Sequence, residues 1–269
     1  ALLVGLRRLG VLAAPPGRLG LLALLTAAAV PAAWWLFFRQ FAEEAGAVLL
    51  GPFYRVRLHG PGVEAFPEQG PLLVLANHAA WFDPLWLCKA LPRRMTPLMI
   101  SSFYDKPVLH WLMARVVRAI RVLDSPYRRE APELREAVAV LDRGGCVLIF
   151  PEGVLRRKDE VPLRPFGQGV WRILRERPAT PVVVCWIEGG WGSLTSHFEG
   201  PPLTHKPLDW LRPIDIAVEP PRVLDPALLA DPHAARRWLY QACLDAGRHL
   251  GLTPPTPAPL AEEAAARPD

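Results

Sequence analysis

Six short apolar runs, each bounded by turn residues, confine this chain to a narrow set of architectures. They are Leu72–Ala76, Pro97–Ile100, Ile120–Leu123, Val147–Phe150, Val182–Ile187 and Ile214–Val218. Runs of this length and composition predict strands buried on both faces. Helices are predicted between them. Pro84–Leu91 follows an Asp-Pro start, an N-cap residue with proline at the first helical position. Pro107–Val117 carries aromatic and basic residues, and Pro132–Arg143 is amphipathic and stopped by Gly144-Gly145. Gly169–Arg177 and Ala234–Leu250 complete the set. The alternation predicts an α/β fold, a largely parallel sheet flanked by helices.

The N-terminal 50 residues read differently. Leu19–Phe38 carries no charge and is long enough to cross a bilayer as a helix. It ends in Trp34-Trp35-Leu36-Phe37-Phe38-Arg39, aromatics and then a cation, as at a membrane interface. Pro31 predicts a kink. A span or re-entrant hairpin ranks first, a helix lying in the interface second, and a cleaved signal peptide third. Arg7, Arg8 and Arg18 precede the run, and a lysine/arginine count places the N-terminus in the cytoplasm. A hairpin or monotopic insertion then keeps the following domain on the cytoplasmic face of the cell membrane. The expected organisation is a membrane-associated helical segment over 1–50, a catalytic domain over 51–252 and a disordered Pro/Ala-rich tail over 253–269. The first residue is alanine, as expected of a processed chain or a piece of a longer one.

With 51% hydrophobic residues and a net charge of +5, the chain favours lipid surfaces or phosphate-bearing substrates. Nucleic acid is disfavoured as a partner: there is no zinc spacing, RNA-binding aromatic signature or basic heptad region. Cys88, Cys146, Cys185 and Cys243 are scattered, and three lie in apolar runs, which predicts reduced core cysteines. No His/Cys/Asp cluster has metal-ligand spacing.

Two segments carry chemistry. Asn77-His78-Ala79-Ala80-Trp81-Phe82-Asp83 sets a histidine and an acid five positions apart, directly after a strand. A histidine suits proton abstraction from an alcohol, and a carboxylate on its other ring nitrogen fixes the tautomer. The turn can fold Asp83 back onto His78, although Asp83 is also explained as an N-cap. The second segment is Phe150-Pro151-Glu152-Gly153, followed by Arg156-Arg157-Lys158 and then Arg164. Gly153 lets backbone approach a ligand closely, and arginine forks suit phosphate.

From about Pro52 to about Val218 the chain resembles the glycerolipid acyltransferases. His78 and Asp83 match that family's histidine–four residues–aspartate motif, and Phe150, Pro151, Glu152 and Gly153 match its Phe-Pro-Glu-Gly motif. The resemblance implies O-acyl transfer from a thioester, acyl-CoA or acyl carrier protein as co-substrate, to a hydroxyl of a lysophospholipid or glycerol phosphate, with no resident cofactor and no metal. It implies His78 as base, Asp83 as its orienting acid, and a site shaped by Glu152 and Gly153. Departures are Ala80 where a serine is common and Val154-Leu155-Arg156 where Thr-Arg-Ser is usual; Arg156, Arg157 or Arg121 is then expected to hold the phosphate. The implied partners are membrane lipids, and a fused or neighbouring membrane protein is compatible with them. The alternatives are a non-catalytic lipid-binding domain of a larger membrane protein, or acyl transfer to another alcohol or an amine. A serine esterase is disfavoured, since Gly190-Trp191-Gly192-Ser193 lacks the second glycine of a nucleophile elbow.

Overall fold

A computed structural model describes residues 16–50, 54–124, 131–159, 161–206 and 208–253. The chain divides into two units, Ala1–Val48 and Leu49–Asp269. In the first, a single helix α1 runs unbroken from Pro16 to Leu50 with Pro31 inside it, so no hairpin forms within that stretch. Its segment Gly20–Phe38 is long and apolar enough to span a bilayer, with a mean hydropathy of 2.0 and none of it buried. The expected tail beyond Thr253 and the arginines before Pro16 lie outside the described residues.

The second unit is built on a seven-stranded sheet: β1 Tyr54–His59, β2 Leu72–Ala76, β3 Thr96–Ile100, β4 Ile120–Val122, β5 Cys146–Ile149, β6 Val182–Glu188 and β7 Arg212–Val218. Their spatial order is β1-β7-β6-β2-β5-β3-β4. Only the β6–β7 pair is antiparallel, so the sheet is largely parallel, with β1 and β7 running against the other five. Six strands fall where the apolar runs predict them. β1 does not come from such a run: Tyr-Arg-Val-Arg-Leu-His alternates, as suits an edge strand with one wet face, and its burial alternates over the first four residues.

The uniform apolarity of the central strands has a direct cause. All five residues of β2 are buried, and they feed two cores. Leu73 and Leu75 pack with helices α5 (Pro132–Asp142), α6 (Gly169–Glu176) and α8 (Pro232–Arg248), together with Val147, Ile149, Val182 and Val184. Leu72, Val74 and Ala76 pack on the other face with Trp86 and Leu87 of α2 (Asp83–Ala90). Two short helices, α3 (Ser101–Tyr104) and α4 (Pro107–Leu112), follow β3, and α4 passes into a π-turn at Met113–Val117 instead of continuing as α-helix. A four-residue helix α7, Pro226–Leu229, precedes α8. Cys146, Cys185 and Cys243 are buried and unbridged. Burial pushes the Cys146 thiol up to about 12 and raises the Cys185 and Cys243 thiols too, as for inert core thiols.

Candidate active site

Topology brings the two motifs together. β2 and β5 are neighbouring parallel strands, so their C-terminal ends lie side by side. His78 stands two residues beyond β2 and Phe150 one residue beyond β5. Ligands in open α/β sheets bind at such carboxyl ends. Asn77 marks where β2 stops being a strand: its Nδ2 donates to Ile187 O at 2.9 Å and its Oδ1 accepts from Ile187 N at 2.6 Å. The buried side chain thus stands in for one more peptide of the β2–β6 ladder and frees the main chain to turn at His78.

Asp83 does fold back. His78 Nδ1 lies 3.0 Å from Asp83 Oδ2. The same oxygen accepts from the backbone N–H groups of Ala79 at 2.7 Å and Ala80 at 2.8 Å. The carboxylate therefore does not cap its own helix, where Phe82 occupies the N-cap without a side-chain bond. The other oxygen, Oδ1, is buried and makes no hydrogen bond among the described residues. Backbone N–H groups can only donate, so Oδ2 is an acceptor and the imidazole proton sits on Nδ1. Nε2 then carries the lone pair. The Asp83 side chain is 0% exposed and that of His78 18%, which leaves an opening on the histidine alone. The imidazole is stacked on Phe150, with centroids 4.0 Å apart and planes at 20°.

Glu152 joins the two loops. Its Oε1 accepts from His78 N at 2.7 Å and its Oε2 from Arg164 N at 2.8 Å. Burial pushes its carboxyl up to about 7, although both N–H donors pull the other way. Arg156 N adds a second tie between the loops, donating to His78 O at 2.8 Å. Gly153 takes a φ of 71°, and its N–H closes a turn onto Phe150 O at 3.0 Å. A base fixed in one tautomer beside an opening is equipped to take a proton from a hydroxyl. No group of three or more His, Cys, Asp or Glu able to hold a metal exists among the described residues.

Residues 55–188 match the family model described as Acyltransferase. The chain belongs to the acyltransferase family. It is 27% identical over 124 residues to a 1-acyl-sn-glycerol-3-phosphate acyltransferase of Saccharomyces cerevisiae, covering 42% of this chain and 38% of that one. It is 28% identical over 145 residues to an uncharacterized protein of Mycobacterium bovis, covering 49% and 37%. The chain thus spans less than two-fifths of the length of these curated relatives. Among solved structures, the 1-acyl-sn-glycerophosphate acyltransferase PlsC of Thermotoga maritima superposes with a TM-score of 0.59 at 18% identity, over 82% of this chain and 83% of that one. The fold is therefore shared.

Within this acyltransferase domain the three candidate arginines have different surroundings. Arg156 is engaged: its guanidinium lies 4.4 Å from the Trp191 ring centroid and donates to Lys158 O at 3.0 Å and Asp159 O at 2.7 Å. Arg121 sits on β4, three strands from β2 or ~14 Å at ordinary strand spacing, and forms a forked ion pair with Asp105. Arg157 is exposed on the loop after Gly153 and makes no ion pair among the described residues.

Sequence reasoning missed the third wall. The connection after β6 packs on the histidine loop: Trp81 N donates to Thr195 O at 3.1 Å, and Ala80 bridges to Ser196. Gly190 faces the buried carboxylate so closely that a Cβ there meets Asp83 Oδ1 at 2.9 Å. Arg212 holds this connection, donating to Gly189 O at 2.7 Å and Trp191 O at 2.8 Å. The dense glycines at 189, 190 and 192 were the available signal, and they record close approach, not a nucleophile elbow.

Proposed function

We propose that this domain transfers a fatty acyl group from a thioester to a hydroxyl of a lysophospholipid or glycerol phosphate. The observation that carries the reading is His78, held through Nδ1 by a wholly buried Asp83 while its own side chain stays 18% exposed. The acceptor hydroxyl oxygen attacks the thioester carbonyl carbon as its proton passes to Nε2. Asp83 stabilises the imidazolium that results. The tetrahedral intermediate collapses with cleavage of the carbon–sulfur bond, and the departing thiolate takes the proton back from Nε2. No side-chain nucleophile is needed. Such a base contributes ~10²–10⁴-fold in rate.

Arg157 is the group proposed to meet the acceptor phosphate, since Arg156 is committed to Trp191 and Arg121 to Asp105. Glu152 is a positioning residue, tying the histidine loop to the Arg164 loop without facing substrate. The proposed donors are acyl-CoA or acyl carrier protein, and the proposed location is the cytoplasmic face of the cell membrane; the exposed apolar helix α1 supports membrane association.

The deciding experiment follows labelled acyl groups from both donors onto a panel of lysolipids and glycerol phosphate. Wild type transfers label, and His78→Ala loses at least ~10²-fold. Equal rates for the two proteins remove His78 from the mechanism.

A further inference from the structure

The connection from β6 to β7, residues 189–211, is long for a segment with no helix or strand among its described residues, and such loops are usually functional. Its first part walls the site. Its second part turns outward. Leu203, Leu208, Trp210 and Leu211 are 49–65% exposed within nine residues, an unusual cluster for a surface loop.

This outward display is built. Leu203 and Leu211 both hold left-handed backbone, at φ of 66° and 56°, a conformation that costs energy for a branched side chain and persists only where its surroundings impose it. Leu203 N donates to Leu194 O at 2.7 Å. Lys206 Nζ gathers the carbonyls of Gly200, Pro201 and Thr204 at 3.3, 2.9 and 3.4 Å. Arg212 pairs with Asp209 while anchoring Gly189 and Trp191. The loop thus spends its polar groups on itself and leaves four large apolar side chains outside.

The direction of this cluster follows from topology. β6 runs parallel to β2, so β6 ends and β7 begins at the sheet end that carries His78.

We infer that Leu203, Leu208, Trp210 and Leu211 insert into the surface of a lipid bilayer beside the His78 opening. Leucine and tryptophan backed by lysine and arginine are the composition of an interfacial contact. Asp209, the one acid among residues 201–211, is neutralised by Arg212. The choice of a lipid partner rests on the proposed lipid substrate; insertion is nevertheless read without turnover, so either can fail alone.

The test uses the full chain with Cys88→Ser, the other cysteines being buried. An environment-sensitive fluorophore is attached at Trp210→Cys or, as a control, at Gln69→Cys, in the loop at the opposite end of the sheet. Each protein is bound to vesicles of phosphatidylcholine and phosphatidylglycerol, with and without spin-labelled lipid. Insertion gives a blue shift and lipid quenching at 210 and neither at 69, and adding Leu211→Asp diminishes both at 210. Emission at 210 that stays water-like on vesicle-bound protein overturns the inference. So does a shift at 210 that needs another protein in place of lipid.

Discussion

Replacing Gly190 by alanine presses one methyl group onto the buried acid. The new Cβ lies 2.9 Å from Asp83 Oδ1 and 3.4 Å from Ala80 Cβ, where ordinary contacts begin at 3.4 Å. About half an ångström has to be found. Gly190 has no positive φ, so alanine adds no backbone strain and the perturbation falls on Asp83. The carboxylate has little room, because Oδ2 is fixed by Ala79 N, Ala80 N and His78 Nδ1. Turning it to relieve Oδ1 lifts Oδ2 away from the imidazole. Overpacking of this kind costs ~1–3 kcal/mol, and each kcal/mol lowers Tm by roughly 2–4 °C at this chain length. An ångström of misplacement costs on the order of 10²-fold in rate, so half of that is expected to lower kcat about tenfold. Acyl transfer is measured at saturating acceptor, beside thermal unfolding of the same preparation. A variant that loses Tm yet keeps wild-type kcat refutes the link between Gly190, Asp83 and the histidine.

Asn77→Ala leaves the buried N–H and C=O of Ile187 without partners and is expected to cost about 2–4 kcal/mol in a urea titration. Arg157→Ala raises KM for phosphate-bearing acceptors about tenfold, the loss of one charged hydrogen bond, whereas Arg121→Ala leaves it unchanged; the reverse result moves the phosphate to β4. Glu152 makes stability pH-dependent. Its folded carboxyl is raised from 4.5 to about 7, so folding takes up a proton: its stabilising contribution is fully present below pH 4.5 and lost as pH rises through about 7. At 1.36 kcal/mol per pH unit the span is ~3 kcal/mol, seen as a urea midpoint that falls between pH 5 and pH 8 more steeply in wild type than in Glu152→Gln; equal slopes refute it.

The elements legible in the sequence were those whose burial is local in cause. A strand covered on both faces has to be apolar throughout, so β2, β5 and β6 announced themselves. The same rule hid β1: an edge strand paired only with β7 is free to alternate, and Tyr54–His59 carries arginines on its open face. The His78–Asp83 contact was legible because five residues and one turn separate its members. Asp83 had a competing local use as a helix cap, and the structure shows why that use lost. The two N–H groups of Ala79 and Ala80 offer it backbone donors on the imidazole side.

What escaped the sequence depends on which strands become neighbours, and spacing along the chain does not carry that information. Glu152 reaches His78 N only because β5 returns beside β2, and Gly190 reaches Asp83 only because β6 lies on the other flank of β2. These contacts bring a cost along with the geometry: an uncharged backbone cradle for Glu152 leaves a carboxyl that resists ionisation, and a buried Asp83 keeps one oxygen without a partner among the described residues. Polar groups so placed are expected where a site is held ready for chemistry rather than optimised for stability. On this argument, substitutions that relieve either burden should stabilise the fold while slowing the reaction, the opposite of what a purely architectural role for Glu152 and Asp83 requires.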